Sequence, residues 1–344
     1  SEIVMGLALK DLIEAKEIGI EELQNRILVV DSFNLLYQFL STIRQRDGTP
    51  LMDSKGRITS HLTGLFTRTA NLLQKGVKLA FVFDGKPPEL KQKERARRAG
   101  LKEEAQKQYE IARDREDIEG MKKYASRVSK LTPQMVDEAK ELISAFGCPV
   151  VQAPSEGEAQ AAHIVRKGDA YAVVSQDFDA LLYGTPYLVR NLSIAGRRKK
   201  PNSPAYGKVK PEIISLTSNL NRLQIDNDQL IALSILVGTD YDYGGIKGIG
   251  PKKALELVKK HGKDFDELFS EADWEKHFDT AWNEIYYLVK QMPVSDDYRL
   301  GWASPDIDKI KSILCDEHDF SKERAESILD RFDKGGQKGL SEFM

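Results

Sequence analysis

An α/β fold, with a central and mostly parallel sheet flanked by helices, is what this 344-residue sequence predicts, on two observations. Three short apolar runs rich in β-branched residues, Ile27 to Asp31, Leu79 to Asp84 and Tyr171 to Asp179, read as strands buried on both faces. Helical patterns separate them, which is the alternation of a parallel sheet with crossover helices. Each run also ends in aspartate: Asp31, Asp84, and the pair Asp177 and Asp179. The carboxyl ends of parallel strands share one edge, where open α/β sheets place their sites, so acids spread over about 150 residues are expected to converge.

The strand at 27–31 leads into a helical pattern from Ser32 to Arg44 and then a turn-rich stretch from Asp47-Gly-Thr-Pro50 to Lys55-Gly56. A second helix from Thr59 to Gln74 passes through Gly76 into the strand at 79–83. After Asp84 the pattern changes. Gly85-Lys-Pro-Pro88 opens about forty residues rich in Lys, Arg, Glu and Ala, expected to stand off the core as a helical hairpin or arch. Thr132 and Pro133 supply the N-cap and first-turn proline of a helix whose core face is Met135, Val136, Ala139, Leu142, Ile143 and Phe146, stopped by Gly147. A strand from Pro149 to Gln152, a helix opened by Ser155-Glu-Gly-Glu158 and ended near Gly168, and a strand at 170–175 resume the alternation. Asp226 caps a helix from Gln229 to Val237 that is apolar almost all round and therefore buried. A glycine- and lysine-rich module begins at Gly244, and helical patterns at 305–314 and 321–332 lead to a Lys-Gly-Gly-Gln tail. The chain accordingly divides into a core segment 1–84, an arch 85–131, a second core segment 132–243, a glycine-rich module 244–302, C-terminal helices 303–332 and a tail 333–344.

Hydrophobic content of 41% and charged content of 30%, with no apolar run of membrane-spanning length, describe a soluble protein expected in the cytoplasm or nucleoid. The Val-Met-Gly-Leu-Ala-Leu patch near the start is too short and acid-flanked for a signal peptide. Cys148 and Cys315 form no framework, and no disulfide is expected. The net charge of −2 hides an uneven distribution. From Lys86 to Lys130 there are 14 basic and 9 acidic residues, Arg197-Arg-Lys-Lys200 with Lys208 and Lys210 has no acid among them, and Lys247 to Lys263 carries six lysines against Glu256 alone. Each cluster taken singly reads equally as a solvated face; three of them around an acidic centre suit a polyanion held by its flanks.

Seven acids are candidates for that centre: Asp31, Asp84, Glu156, Glu158, Asp177, Asp179 and Asp240. Gathered carboxylates repel and cannot all ionise unless cations sit among them, and an all-oxygen donor set with no nearby histidine suits Mg²⁺ or Mn²⁺. Each acid has a plainer reading: Ser155 and Glu158 fit a capping box, Asp31 and Asp84 fit caps of the helices that follow them, and Asp240 fits a turn. Other chemistries find no support. The histidines at 61, 163, 261, 277 and 318 lack zinc spacing, no Gly-x-Ser-x-Gly elbow or P-loop occurs, and Gly248-Ile-Gly250 follows no strand and lacks a third glycine.

Gly245-Ile-Lys-Gly248-Ile-Gly250-Pro251-Lys-Lys253 places glycines where a backbone can approach a partner, proline in the first helical turn and lysines along it. Amides at such a helix start bind phosphate without reading base sequence, the signature of a helix-hairpin-helix turn; the plainer reading is a tight turn. In the arch, Lys91 and Arg98 are seven apart and share a helical face. Just beyond Asp84, they could stabilise charge on a phosphate under attack.

These motifs together resemble the structure-specific 5′-nucleases, and most closely the archaeal-type flap endonucleases. The carrying stretches are Val-Val-Asp31-Ser-Phe-Asn-Leu-Leu-Tyr37, Phe-Val-Phe-Asp84-Gly-Lys-Pro-Pro-Glu-Leu-Lys91, Ala-Pro-Ser-Glu156-Gly-Glu158-Ala, Ser-Gln-Asp177-Phe-Asp179, and Val-Gly-Thr-Asp240-Tyr with the glycine-rich turn. The resemblance implies a PIN-like 5′-nuclease core and two-metal hydrolysis of DNA where a 5′ single-stranded flap leaves the duplex, with accompanying 5′ exonuclease activity, in replication and repair. It implies that Asp31, Asp84, Glu156 and Glu158 hold one Mg²⁺, for which Mn²⁺ can substitute, and that Glu158, Asp177, Asp179 and Asp240 hold or orient the other. By the same resemblance Lys91 and Arg98 act on the scissile phosphate, Tyr37 stacks on the terminal base, and Arg44 and Arg68 contact DNA. Lys247, Gly248, Gly250, Lys252 and Lys253 would grip the downstream duplex, with a K⁺ bound at the turn, and the arch would gate the free 5′ end. Gln337, Leu340 and Phe343 resemble a peptide that docks on a sliding clamp, with Met344 where a second aromatic is usual; the protein is expected to be a monomer. The sequence departs from the family at Ser1-Glu-Ile-Val4, which precedes the usual starting motif at Met5-Gly6.

The nearest alternatives are a sibling 5′-nuclease, such as a junction or bubble cutter or a dedicated exonuclease, and a catalytically silent DNA-binding scaffold. An arch of about 45 residues argues against the siblings with very long insertions, and the complete set of seven acids argues against the scaffold. An RNase on a related acidic core would lack the glycine-rich duplex grip.

Overall fold

The computed structural model describes residues 9–92, 107–108, 130–192, 196–199 and 206–336. Most of the expected arch, Arg98 within it, and the tail residues Gln337, Leu340 and Phe343 lie outside the described residues. The strands are β1 (Lys16–Glu17), β2 (Ile27–Asp31), β3 (Lys78–Phe83), β4 (Val150–Gln152), β5 (Ala172–Val174), β6 (Tyr187–Arg190), β7 (Gly196–Lys199), β8 (Tyr206–Val209) and β9 (Glu212–Ser215). The helices are α1 (Ser32–Thr42), α2 (Ser60–Gln74), α3 (Pro133–Ala145), α4 (Gly157–Arg166), α5 (Asp179–Leu182), α6 (Leu216–Leu223), α7 (Asn227–Val237), α8 (Pro251–His261), α9 (Phe265–Glu271), α10 (Trp282–Lys290), α11 (Ile307–Lys311) and α12 (Lys322–Gly336).

Among the described residues, seven strands form one mixed sheet in the order β1-β9-β6-β5-β2-β3-β4. The pairings from β6 to β4 are all parallel; β9 and β1 close the other edge antiparallel. Side chains alternate as a period of two requires. Leu28 and Val30 of β2, with Phe81 and Phe83 of β3, pack with α1, α2, α3, α11 and α12 on one face. Val29, Val82, Val173 and Leu188 pack on the other with α4 to α7. With both faces covered, the strands are nearly continuous in apolar residues, which is why they were legible as buried runs. Ile246, Ala254, Val258, Phe269 and Ile285, from the glycine-rich segment and the helices after it, belong to this second core as well. Among the described residues no helix is long and apolar enough to cross a membrane.

Caps set several helix starts as expected: Thr132 accepts from Met135 N, and Asp226 forms a capping box with Gln229. Two local expectations change. The helix read as opening at Ser155 begins at Gly157 with Glu156 as N-cap, and no capping box forms. Ser155 Oγ donates to the Lys86 carbonyl (3.0 Å), while Glu158 is drawn to Ser175 (3.1 Å). The last helix continues past residue 332 to Gly336. Leu329 is buried and Phe332 packs against Phe146 (6.3 Å between centroids), and such packing outweighs the low propensity of the terminal glycines. The basic run at Arg197–Lys199 forms part of a separate two-stranded ribbon, β7–β8.

Candidate active site

The strand order itself locates the crevice. From β2 the chain winds outward through β3 and β4, then returns to place β5 on the opposite side of β2. Loops leaving the carboxyl ends of β2 and β5 therefore diverge, and an open α/β sheet binds ligands at such a switch point. Asp31 ends β2, Asp84 follows β3, Asp177 lies in the segment after β5 and Asp179 opens α5. Glu156 and Glu158 stand at the amino end of α4, and Asp240 lies just beyond α7.

Hydrogen bonds tie these segments together. Asp84 Oδ1 accepts from Gly157 N at 2.8 Å, so the carboxylate after β3 caps α4 rather than a helix of its own. Position 157 needs glycine for that approach, since a Cβ there would lie 2.6 Å from the same oxygen. Asp31 does cap α1, accepting from Asn34 N at 3.2 Å, and its second oxygen lies 3.2 Å from Ser175 Oγ. The same hydroxyl is 3.1 Å from Glu158 Oε1. Asp177 Oδ2 accepts from Asn34 Nδ2 at 2.6 Å. Lys91 Nζ forms ion pairs with Glu156 and, at 3.2 Å, with Asp240.

The electrostatics show that the seven acids face one another. Burial, then Asp84 and Asp177, push the Asp31 carboxyl up to about 8. Burial followed by Asp179, Asp31 and Asp177 raises Glu158 well above the carboxylate range, and burial followed by Asp240 and Asp177 does the same to Asp179. Burial, with Asp84 and Asp240 nearby, raises Glu156 even against the Lys91 ammonium. Burial opposes the charge on Lys91, yet Asp240 and Glu156 hold it far above the ordinary lysine value. Each of the seven thus repels, or is repelled by, others of the set.

The donor set fits hard divalent cations. All its atoms are oxygen, and among the described residues Asp179 Oδ1 is a buried acceptor with no hydrogen-bond partner. Among the described residues no three His, Cys, Asp or Glu side chains stand close enough together to chelate one ion as placed. Lys91 supplies the positive charge between Glu156 and Asp240, and Ser175 and Asn34 bridge Asp31, Glu158 and Asp177.

The basic and aromatic candidates differ in exposure. Tyr37 is exposed on α1, one turn beyond Asn34. Arg68 is exposed on α2, whereas Arg44 is half-buried and donates through Nη1 to the Gly48 carbonyl at 2.8 Å. Lys247, Gly248, Gly250, Lys252 and Lys253 are all exposed, and a Cβ at Gly248 or Gly250 would meet nothing within 4 Å among the described residues. Gly250 is the N-cap of α8 and offers no side chain to its first amides. The lysine run divides: Lys260 pairs with Glu271 and Lys263 with Asp226 and Asp228, while Lys247, Lys252 and Lys253 form no ion pair among the described residues. A solvated salt-bridged face therefore accounts for the rear of the run but not its front.

Sequence reading missed Asn34 and Ser175, which touch the acids directly, and the half-buried pair Tyr183 and Tyr241, whose hydroxyls are 3.3 Å apart beside Lys91 and Glu156. The available signal was spacing, since Asn34 follows Asp31 by one helical turn and Ser175 precedes Asp177 by two residues.

Comparison with known proteins identifies this geometry. Residues 5–105 match the XPG N-terminal domain and residues 147–240 match the XPG I-region, and all seven acids fall within these two segments. A mixed sheet with this acidic edge, carried by those two regions, defines the XPG class of nucleases. The chain is 51% identical over 335 residues to flap endonuclease 1 of Pyrococcus abyssi, covering 97% of this chain and 96% of that protein. It is 52% identical over 334 residues to flap endonuclease 1 of Staphylothermus marinus, covering 96% and 95%. The solved flap endonuclease-1 of Methanococcus jannaschii superposes with a TM-score of 0.74 at 42% identity, covering 95% of this chain and 98% of that one. The catalytic core of Rad2 in complex with DNA substrate superposes at 0.67 with 25% identity, covering 92% and 96%. The chain belongs to the flap endonuclease 1 family.

Proposed function

We propose that the chain is a structure-specific 5′ flap endonuclease with 5′ exonuclease activity, which hydrolyses a DNA phosphodiester beside the junction of flap and duplex, and that its divalent cofactor is Mg²⁺, replaceable by Mn²⁺. Its membership of the flap endonuclease 1 family and the Rad2 core solved with DNA support the reaction and the substrate. The observation that carries the metal assignment is a set of seven mutually repelling carboxylates, one of which, Asp179, holds a buried oxygen with no hydrogen-bond partner among the described residues.

Asp31, Asp84, Glu156 and Glu158 would hold one ion, and Glu158, Asp177, Asp179 and Asp240 would hold or orient the second. When bound, such ions lower the pKa of water and offset negative charge on attacking and leaving oxygens. Lys91 places an ammonium among the same acids, where it can donate to a non-bridging phosphate oxygen as charge builds. Arg98 would act with it, seven residues along, and Tyr37 would stack on the terminal base. Exposed amides at the start of α8, with Lys247, Lys252, Lys253 and the open glycines 248 and 250, suit duplex phosphates, and K⁺ is assigned to this turn. Arg44 and Arg68 are assigned further DNA contacts. Gln337, Leu340 and Phe343 are assigned to docking on a sliding clamp, with the nuclease itself a monomer.

The test is cleavage of a double-flap DNA labelled on its 5′ flap, with Mg²⁺ or with EDTA, beside bubble, junction, single-stranded and RNA controls. A metal-dependent cut at the flap base is expected. Asp179→Ala should abolish that cut and retain flap binding; turnover by that variant would remove Asp179 from the site.

A further inference from the structure

Carboxylates assigned to different ions reach the crevice from β2, from the segment after β5 and from the amino end of α4, yet two neutral side chains stitch them together beside the seam between β2 and β5. Ser175, only 3% exposed, directly follows β5 and precedes Asp177 by two residues. Its hydroxyl carries one proton and lies 3.2 Å from Asp31 Oδ2 and 3.1 Å from Glu158 Oε1, and its oxygen also faces the Asp177 amide at 3.3 Å. Asn34 joins the same groups from the helix side. Its backbone amide donates to Asp31 Oδ1, and the Gln176 N–H, which can only donate, points at its side-chain oxygen at 3.0 Å. That contact fixes which end of the amide is which, and leaves Nδ2 to donate to Asp177 Oδ2 at 2.6 Å. Arg190 Nε holds the carbonyl of Gln176 at 3.0 Å, so the turn bearing Asp177 and Asp179 is gripped from two sides.

We propose that Asn34 and Ser175 are positioning residues that hold the Asp31, Glu158 and Asp177 carboxylates in register across the β2–β5 seam and thereby set the affinity for divalent ions. The physical need is plain. Like charges in a buried crevice splay apart unless donors restrain them, and a neutral amide and hydroxyl restrain them without occupying the place of a cation. Outer groups that orient metal ligands typically carry a 10- to 100-fold effect on affinity. The two residues differ in reach. Asn34 restrains through its side chain only Asp177, assigned to the second ion, whereas Ser175 touches Asp31 and the shared Glu158.

This inference rests on the two-ion reading above, and direct Mn²⁺ binding separates the two. Isothermal titration of the full chain with Mn²⁺, without DNA, is expected to show two sites. Asn34→Ala is expected to weaken one site about 10- to 100-fold, and Ser175→Ala to weaken both. Melting temperature and flap binding in EDTA should stay near the parent values, and cleavage should recover at raised Mg²⁺, which a merely structural defect would not permit. Two parent sites with both variants matching the parent would overturn the inference alone. A fall in EDTA melting temperature that excess Mg²⁺ does not rescue would overturn it in favour of a purely structural role. No Mn²⁺ uptake by the parent would overturn the inference together with the metal assignment. Should Asn34→Ala fail to fold, Ser175→Ala, which deletes a single oxygen, decides the outcome.

Discussion

Alanine at Gly245 and at Gly250, introduced separately, distinguishes a glycine required by packing from one required by the partner. Gly245 has φ +59°, and a Cβ there would lie 2.3 Å from the Val237 carbonyl carbon and 2.6 Å from Gly238 N. Both are backbone atoms, so no side chain can swing aside. The left-handed conformation costs about 1–2 kcal/mol for a residue with a Cβ, and relieving the overlap costs about 1–3 kcal/mol more. At about 2.1 cal/mol/K of unfolding entropy per residue over 344 residues, a loss of about 2–5 kcal/mol lowers Tm by about 3–7 °C. Gly250 has φ −89°, and nothing among the described residues lies within 4 Å of its Cβ position. Alanine fits there, and the cost is a poorer N-cap, about 1 kcal/mol or less. If duplex phosphates contact the first amides of α8 as proposed above, the added methyl would stand in their way, and duplex affinity is expected to fall about tenfold with Tm nearly unchanged. Thermal melts in EDTA and fluorescence anisotropy of a labelled duplex at two salt concentrations read both effects. Parental duplex affinity in Gly250→Ala would refute the phosphate-approach reasoning, and a parental Tm in Gly245→Ala would refute the packing argument.

Lys91→Ala removes the cation between Glu156 and Asp240, and single-turnover flap cleavage is expected to slow about 10²- to 10³-fold while flap binding in EDTA persists; a loss below tenfold would detach Lys91 from the chemistry. The Asp31 carboxyl, raised from 3.8 to about 8, predicts a pH dependence. Between those values the folded, metal-free protein keeps a proton that the unfolded chain has released, so this group lowers stability as pH rises through the window. A divalent ion competes with that proton, and the Tm gain on adding Mg²⁺ should therefore grow from about pH 6 to about pH 8. Differential scanning fluorimetry across that range checks it, and a gain independent of pH would count against Asp31 as a ligand.

Much of the site was legible because two one-dimensional signals coincided. Buried parallel strands are apolar throughout, so the acid that ends each run stands out against it, and all such ends share an edge. The six lysines of 247–263 were ambiguous for the opposite reason, since charge alone does not say which ammonium already has a carboxylate. Lys260 and Lys263 find Glu271, Asp226 and Asp228, and only the folded chain separates them from Lys247, Lys252 and Lys253. Ser155 and Glu158 satisfied a local capping rule that tertiary contacts overrode, because Ser175 and Lys86 offered those groups other partners.

By itself the sequence determined the strand cores, the main helices and the aspartates at the strand ends, since periodicity and caps act over a few residues. Tertiary structure decided the rest. Only the return of the chain to the far side of β2 sets Asp31 beside Ser175 and Asp177, and only there do Asn34 and Ser175 acquire a role. It also added the antiparallel strands β9 and β1, the β7–β8 ribbon, and the glycine 157 cradle for Asp84. Each of these joins segments far apart along the chain, and contacts of that kind are selected by the packing of the whole sheet rather than by any local pattern.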